Sequence, residues 1–234
     1  MHKLNILFTL SSLSVILVTI ERFSITTKIL LQPYNFFRFH EVFQMIFLIM
    51  FTVVIPFFIL YFISDNFLLF TKKSLVWLPL LFLVGVYYYS TGNGVHEMAS
   101  FTLNQFCNVK SVSGIFCQGQ FFDDYYTGNI FYFVGSICLV LSLLFTEKLF
   151  PNTTYKKRDV PVTVINSIVY SFAIFAYAAF DPVLVGLLYS LFIMVTADIL
   201  WLMIRKKYLA HPVIFYTALT YTIGTIAALF VRFH

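Results

Sequence analysis

Seven apolar stretches, each about as long as a bilayer is thick, constrain what this chain can fold into. A membrane-spanning helix needs roughly 20 mostly apolar residues, and the candidates are residues 4–20, 42–64, 74–95, 125–146, 160–180, 182–204 and 212–231. Charged residues make up 11% of the chain, whereas soluble domains carry about 25%. The sequence therefore predicts an all-α polytopic membrane protein, a bundle of seven transmembrane helices that forms a single integral membrane domain over residues 1–234.

The basic residues predict the orientation of this bundle, because cytoplasmic loops carry an excess of Lys and Arg. Ten lie at the N-terminus and after the second, fourth and sixth apolar stretches: Lys3, Lys72, Lys73, Lys148, Lys156, Lys157, Arg158, Arg205, Lys206 and Lys207. Five lie on the other side: Arg22, Lys28, Arg38, Lys110 and Arg232. We expect a cytoplasmic N-terminus and an extracytoplasmic C-terminus. Short basic groups between apolar stretches encode topology, so the net charge of +5 does not indicate nucleic-acid binding. The apolar composition makes membrane lipid the expected partner.

Two segments near the N-terminus need a separate interpretation. The first apolar stretch follows Lys3 as a signal peptide would, but no small-x-small cleavage site precedes Glu21, which favours a retained helix. Residues 21–41 mix basic and apolar side chains. This mixture predicts an amphipathic segment at the membrane interface, with Phe36 and Phe37 as aromatic anchors.

The predicted topology places residues 96–124 in an extracytoplasmic loop. Cys107 and Cys117 lie ten residues apart in this loop, in an oxidising compartment. A disulfide between them would hold the loop against the ends of the third and fourth helices, and two free cysteines are the alternative. Cys138, inside the fourth apolar stretch, is expected to be a small packing residue.

Polar side chains suited to chemistry concentrate at the extracytoplasmic end of the predicted bundle. They are His96, Glu97, Asn104, Asp123, Asp124, Asn129 and, between the fifth and sixth stretches, Asp181. If the third helix continues beyond residue 95, His96, Ser100 and Asn104 share one of its faces. Imidazole and carboxylate groups serve as general acids and bases in hydrolysis. The candidate catalytic residues are accordingly His96, Glu97, Asp123 and Asp124, with Asn104 and Asn129 as candidate substrate-binding residues.

The same cluster permits two other interpretations. Imidazole and carboxylate can bind a divalent cation such as zinc or manganese, and His96 and Asp124 are the candidate ligands, although the His-Glu-x-x-His pattern is absent. The structural alternative is that Asp123 and Asp124 cap the fourth helix, whose positive end attracts carboxylates. His96 and Glu97 would then be ordinary interfacial residues.

Asp198 interrupts the sixth apolar stretch, where a charge costs roughly 2.5–3.5 kcal/mol on insertion scales. Such a residue usually faces the bundle interior and is paired. The candidate partners are His211, Tyr170 and Asn166, and an aspartate linked to Arg205 near the cytoplasmic end is the alternative. In the functional interpretation, Asp198 and His211 bind a polar substrate or form a proton or cation pathway.

Small residues predict where helices approach closely. Gly128, Gly135 and Ser142 can share one face of the fourth helix, and Thr217, Gly224 and Ala228 can share one face of the seventh. Small side chains let helix backbones come together within lipid. This pattern concerns packing and carries no chemical signal.

The sequence lacks the signatures of several seven-span families. The last stretch has no lysine for a retinal Schiff base, and no histidine pair of the alkaline ceramidase type lies near the C-terminus. Three functions stay open. The leading one is an enzyme acting on a lipid or other amphiphile near the extracytoplasmic interface, and a hydrophobic small molecule is a further candidate partner. The others are a small transporter that uses Asp198, and a receptor or assembly subunit without chemistry.

Overall fold

The computed structural model describes residues 3–35, 37–151, 154–204 and 207–234, so Phe36, Arg205 and Lys206 lie outside the described residues. The described part is all-helical, with these α-helices: Lys3–Arg22 (α1), Phe39–Ile63 (α2), Trp77–Phe106 (α3), Ile115–Phe122 (α4), Asn129–Leu149 (α5), Val160–Phe180 (α6), Val185–Met203 (α7) and Pro212–Phe233 (α8). Within these ranges, seven helical stretches are long and apolar enough to cross a membrane. The prediction of an all-α chain with seven such helices is confirmed.

The segment predicted to be the outer loop, residues 96–124, is largely helical. Helix α3 continues to Phe106, because residues 96–106 contain neither Gly nor Pro to end it. A short connection follows, and Cys107 and Cys117 form the predicted disulfide across it. The chain is helical again from Ile115 onwards.

A π-helical segment, Asp123–Gly128, joins α4 to α5 without a break. The structural alternative, in which Asp123 and Asp124 cap the fourth helix, is therefore wrong. The helix begins at Ile115, so no free N-terminal amides are available at residues 123 and 124. Single π-turns inside α-helices are frequent at functional sites, and this one determines where Asp124 points.

Helices α3 and α5 run antiparallel with their backbones in contact. A Cβ atom added at Gly92 would lie 2.1 Å from the Tyr132 amide nitrogen, and one added at Gly135 would lie 2.2 Å from that of Tyr89. Farther along, the Ser142 hydroxyl donates to the Leu78 carbonyl at 2.9 Å. The small face predicted for the fourth helix is thus confirmed as a close helix contact.

The remaining helices join through buried polar contacts and a second close approach. Helix α1 packs on α6, where Asn5 donates to the Asp159 carbonyl at 2.9 Å and Ser12 to the Asn166 carbonyl at 3.2 Å. Gly224 of α8 lies against α6, since a Cβ there would meet the Ser171 carbonyl oxygen at 2.7 Å. These contacts hold α1, α6 and α8 side by side.

Glu147, near the end of α5, connects that helix to α8. Its carboxyl oxygens accept hydrogen bonds from the Val213 and Ile214 amides at 2.8 and 2.7 Å, and its side chain is fully buried. The first amides of a helix have no partner within the helix. Glu147 therefore supplies the acceptors that the start of α8 needs.

Candidate functional site

A polar cavity of about 480 Å³ lies at the end of the bundle that carries the disulfide. We call it the His96 pocket. Its walls come from the end of α1, the start of α2, the connection between them and the last turns of α3. The lining residues are Arg22, Thr27, Arg38, His40, Glu41, Gln44, His96, Glu97, Ser100 and Asn104. This volume is typical of sites for small molecules.

His96 and Asp124 form a dyad at the edge of this pocket. The Nδ1 atom of His96 lies 2.8 Å from Oδ1 of Asp124 and 3.2 Å from the Asp124 carbonyl oxygen. The Asp124 side chain is 3% exposed and that of His96 is 37% exposed. A carboxylate in this position fixes the ring tautomer and orientation of the histidine. Among the described residues, the Nε2 atom has no partner and is free to act on a ligand.

The close contact between α3 and α5 brings this dyad together. A Cβ atom at Gly128 would lie 2.8–2.9 Å from the nitrogen, Cα and Cβ of His96, so any side chain there would push the two helices apart. The π-helical segment then turns Asp124 towards α3. Asp123, one residue earlier, points elsewhere because neighbouring residues of a helix face different directions.

The start of α2 supplies pocket groups that were not predicted as site residues, and Glu21 of α1 holds two of them from behind the pocket wall. Glu21 is buried and accepts hydrogen bonds from Thr26 at 2.5 Å, from His40 at 3.0 Å and from Gln44 at 2.6 Å. Arg38 forms an ion pair with Glu41. The available signal was a cluster of His, Glu and Gln at helical spacing, His40, Glu41 and Gln44, at the start of a strongly apolar stretch.

Glu97 also lines the pocket, and the residue is 9% exposed. Among the described residues it makes no hydrogen bond or ion pair. The charged or titratable groups within electrostatic range of it are His96, His40, Glu41 and Arg22. Arg22 likewise has no hydrogen-bond or ion-pair partner within the described ranges. The pocket therefore contains one acidic and one basic group that no neighbour neutralises directly.

The other residues predicted for the outer site are dispersed. Asn104 is exposed at the pocket wall and donates to the Ser100 carbonyl at 2.8 Å. Asp123 lines a different, shallow pocket on the far side of α3. Asn129 donates to Asp181 at 3.0 Å, outside the His96 pocket. Burial raises the pKa of Asp181 above its ordinary value.

Among the described residues, Asp198 contacts none of His211, Tyr170 and Asn166, the partners that the sequence suggested; Arg205, the alternative, lies outside the described residues. Both carboxylate oxygens of Asp198 accept from the Thr222 hydroxyl, at 3.2 and 3.1 Å. His211 contacts the Glu147 carbonyl at 3.1 Å, and Asn166 donates to Thr9 at 3.0 Å. The predicted contacts fail because the register of α7 against α8 places Thr222 opposite Asp198. Neither Asp198 nor His211 lines the His96 pocket.

The candidate metal ligands, His96 and Asp124, are adjacent but contact each other. Within the described ranges, no group of three or more His, Cys, Asp or Glu side chains is arranged to hold a metal ion. The 2.8 Å ion-pair distance between His96 and Asp124 fits an acid–base pair better than a shared ligand set, which would direct both donors at one point.

Comparisons with protein-family models, with curated proteins and with solved structures found no match to this chain. A helical bundle by itself does not define a function, because the same fold supports many chemistries. The His96 pocket and its residues are therefore the features of this chain that indicate a function.

Proposed function

We propose that this protein is a polytopic membrane enzyme whose active centre is the His96 pocket. The cytoplasmic side would hold the N-terminus, and the pocket would open on the extracytoplasmic side, at the level of the lipid head groups. Seven apolar helices support the membrane location, and the excess of basic residues on the opposite side supports the orientation. The Cys107–Cys117 disulfide agrees with an oxidising compartment around this end.

The surroundings of the pocket support an amphiphilic substrate. Phe23 is 85% exposed, Ile25 71% and Tyr34 91%, all within the α1–α2 connection that forms one wall of the pocket. Large apolar side chains with this exposure mark surfaces that contact lipid or a partner. A molecule with a polar head and an apolar chain could place its head in the pocket while its chain stays in the membrane.

The observation that carries the proposal is the His96–Asp124 dyad in a polar pocket of this size. Nε2 of His96 would accept a proton from water or a substrate hydroxyl, while Asp124 holds the proton on Nδ1 and stabilises the imidazolium. Nε2 would then return the proton to the leaving group. The reaction class is hydrolysis or group transfer at an ester of the substrate, and Arg22 is placed to stabilise negative charge on the substrate.

The test is turnover of lipids by protein reconstituted in liposomes, with products identified by mass spectrometry. His96→Ala and Asp124→Asn should each lower the rate about 10²- to 10⁴-fold, the usual contribution of a positioned acid or base. Asp123→Asn is the matched control, because Asp123 neighbours Asp124 in sequence but lies outside the pocket, and it should retain activity. Equal rates in the Asp124 and Asp123 variants would refute the assignment.

Transport through Asp198 is the weaker candidate. A transport pathway from the outer end would need Asp198 to share a cavity with the outer polar groups, and Asp198 does not line the His96 pocket. Its hydrogen bonds to Thr222 instead satisfy it within the α7–α8 contact.

A further inference from the structure

The charged groups of the His96 pocket can be sorted by whether a neighbour pairs with them. Glu41 pairs with Arg38, and His96 pairs with Asp124. His40 pairs with Glu21, which lies just behind the pocket wall. Two groups are left, Arg22 and Glu97, for which the described residues supply no hydrogen bond and no ion pair. These two groups have opposite charge.

Glu97 is the more informative of the two. A carboxylate this well buried is costly unless a cation or hydrogen-bond donors compensate it. Of the cationic or titratable groups near it, His96 is paired with Asp124 and His40 with Glu21, and Arg22 forms no ion pair with it among the described residues. Glu97 nevertheless faces the cavity. A ligand that brings its own cation would complete the site.

Arg22 provides the unpaired positive charge of the His96 pocket. It ends α1, lines the same cavity and is exposed. A guanidinium binds phosphate in a two-pronged geometry that an ammonium group does not offer. It also lies next to the exposed Phe23, where the apolar part of an amphiphile would rest.

We propose that the His96 pocket recognises a zwitterionic head group, an amine-bearing phosphate ester of a membrane lipid. Its ammonium group pairs with Glu97 and its phosphate with Arg22, which places the ester bonds beside His96. This inference names the substrate class of the proposed active centre, and in that respect it rests on the proposed function. Recognition itself does not require turnover.

Binding to unaltered protein in maltoside micelles tests the proposal first. Isothermal titration calorimetry would compare short-chain phosphatidylethanolamine with phosphatidic acid and phosphatidylglycerol of the same chain length, at one ionic strength. One charge-assisted contact corresponds to roughly tenfold to a hundredfold in affinity. Phosphatidylethanolamine should bind tighter than the other two by that factor. Equal affinities would overturn the proposal, and so would equally tight binding of glycerophosphoethanolamine, which lacks the chains.

Charge-removing variants then assign the two contacts. Glu97→Gln, which keeps the shape of the side chain, should weaken phosphatidylethanolamine by roughly tenfold or more and leave phosphatidic acid no weaker. Arg22→Gln should weaken all three lipids. Lys28→Gln and Asp123→Asn remove charges outside the pocket and should change none of them. Unchanged phosphatidylethanolamine binding by folded Glu97→Gln would refute the role of Glu97.

His96→Ala separates this inference from the proposed function. This variant lacks the proposed base, so it should bind phosphatidylethanolamine with the preference of the unaltered protein and turn over nothing. If the unaltered protein shows the lipid preference but has no turnover, the enzyme proposal fails and the recognition proposal stands. If turnover occurs without the preference, the recognition proposal fails alone.

Discussion

Two glycines two residues apart in α3 provide a sharp test of the helix contact that forms the dyad. Gly92 faces α5, where an added Cβ would lie 2.1 Å from the Tyr132 amide nitrogen, 2.7 Å from the Tyr132 Cα and 2.7 Å from the Gly128 carbonyl oxygen. Gly94 has nothing within 4 Å of its added Cβ. The same substitution, Gly→Ala, should therefore have opposite effects at the two positions.

The magnitudes follow from this geometry. Gly94→Ala should stabilise the protein by about 0.5–1 kcal/mol, because alanine is favoured over glycine inside a helix by about that amount. Gly92→Ala has the same intrinsic gain, but ordinary contact begins near 3.4 Å, so α3 and α5 would have to separate by about 1.3 Å. Overpacking of this kind costs about 1–3 kcal/mol or more. We expect a net loss of at least about 1–2 kcal/mol.

The same separation should disrupt the site. The Tyr89–Tyr132 hydrogen bond of 2.9 Å spans the α3–α5 contact, and so does the 2.8 Å contact of the dyad. An increase of about 1 Å takes both beyond hydrogen-bonding distance. Gly92→Ala should thus lose the Nδ1–H tautomer signal of His96 in ¹⁵N spectra, and Gly94→Ala should keep it.

The measurement is unfolding of each variant in mixed micelles as the fraction of denaturing detergent rises, followed by circular dichroism. The unaltered protein and Gly119→Ala, another position with open space around its Cβ, are the references. Gly92→Ala and Gly94→Ala with equal stability and the same His96 spectrum would show that the α3 and α5 backbones are not in contact.

Two further predictions concern the opposite end of the bundle. Glu147→Ala leaves two buried α8 amides without acceptors, at about 1–3 kcal/mol each, so we expect a loss of about 2–6 kcal/mol. Glu147→Gln should lose about half of that, and Asp123→Asn on the same continuous helix less than about 0.5 kcal/mol. Unfolding titrations measure this, and equal losses at residues 147 and 123 would contradict it. Burial lowers the pKa of His211 below its ordinary value near 6.5, so its contribution to stability is present above about pH 6.5 and is lost as the pH falls. His211→Gln should flatten that decline between about pH 7 and pH 5, and an unchanged pH profile would argue against it.

The helices could be predicted because their signal is local. An apolar stretch of about 20 residues identifies a span wherever it packs, and the paired small residues at Gly128 and Gly135 indicate the face of close contact. The sequence did not predict that α3 extends to Phe106 and only raised it as one possibility. Hydropathy identifies the apolar part of a helix and does not show whether the helix continues into a polar segment. The π-segment at Asp123–Gly128 leaves no signature in hydropathy either, because it depends on how α5 packs on α3.

The site was predicted in part for the same reason. His96, Glu97 and Asn104 belong to one helix, so their common location follows from helical spacing. As candidate catalytic residues, Asp123 and Asp124 were not distinguished, because the choice depends on which of two neighbouring residues the π-segment turns towards α3. Arg22, His40 and Gln44 were not selected because they reach the pocket through the fold of the α1–α2 connection.

Buried carboxylates with a partner inside the protein have a structural role, and the one without such a partner is the residue that we assign to ligand binding. The buried carboxylates of the described chain are Glu21, Glu41, Glu97, Asp124, Glu147 and Asp159. Helix amides satisfy Glu147, a backbone amide reaches Asp159, and Glu21, Glu41 and Asp124 each have a basic or imidazole partner. Glu97 departs from this rule, and it does so inside a cavity. A bundle that compensates its other buried acids internally leaves this one for a cation from outside, which is why the head group is expected to carry an amine.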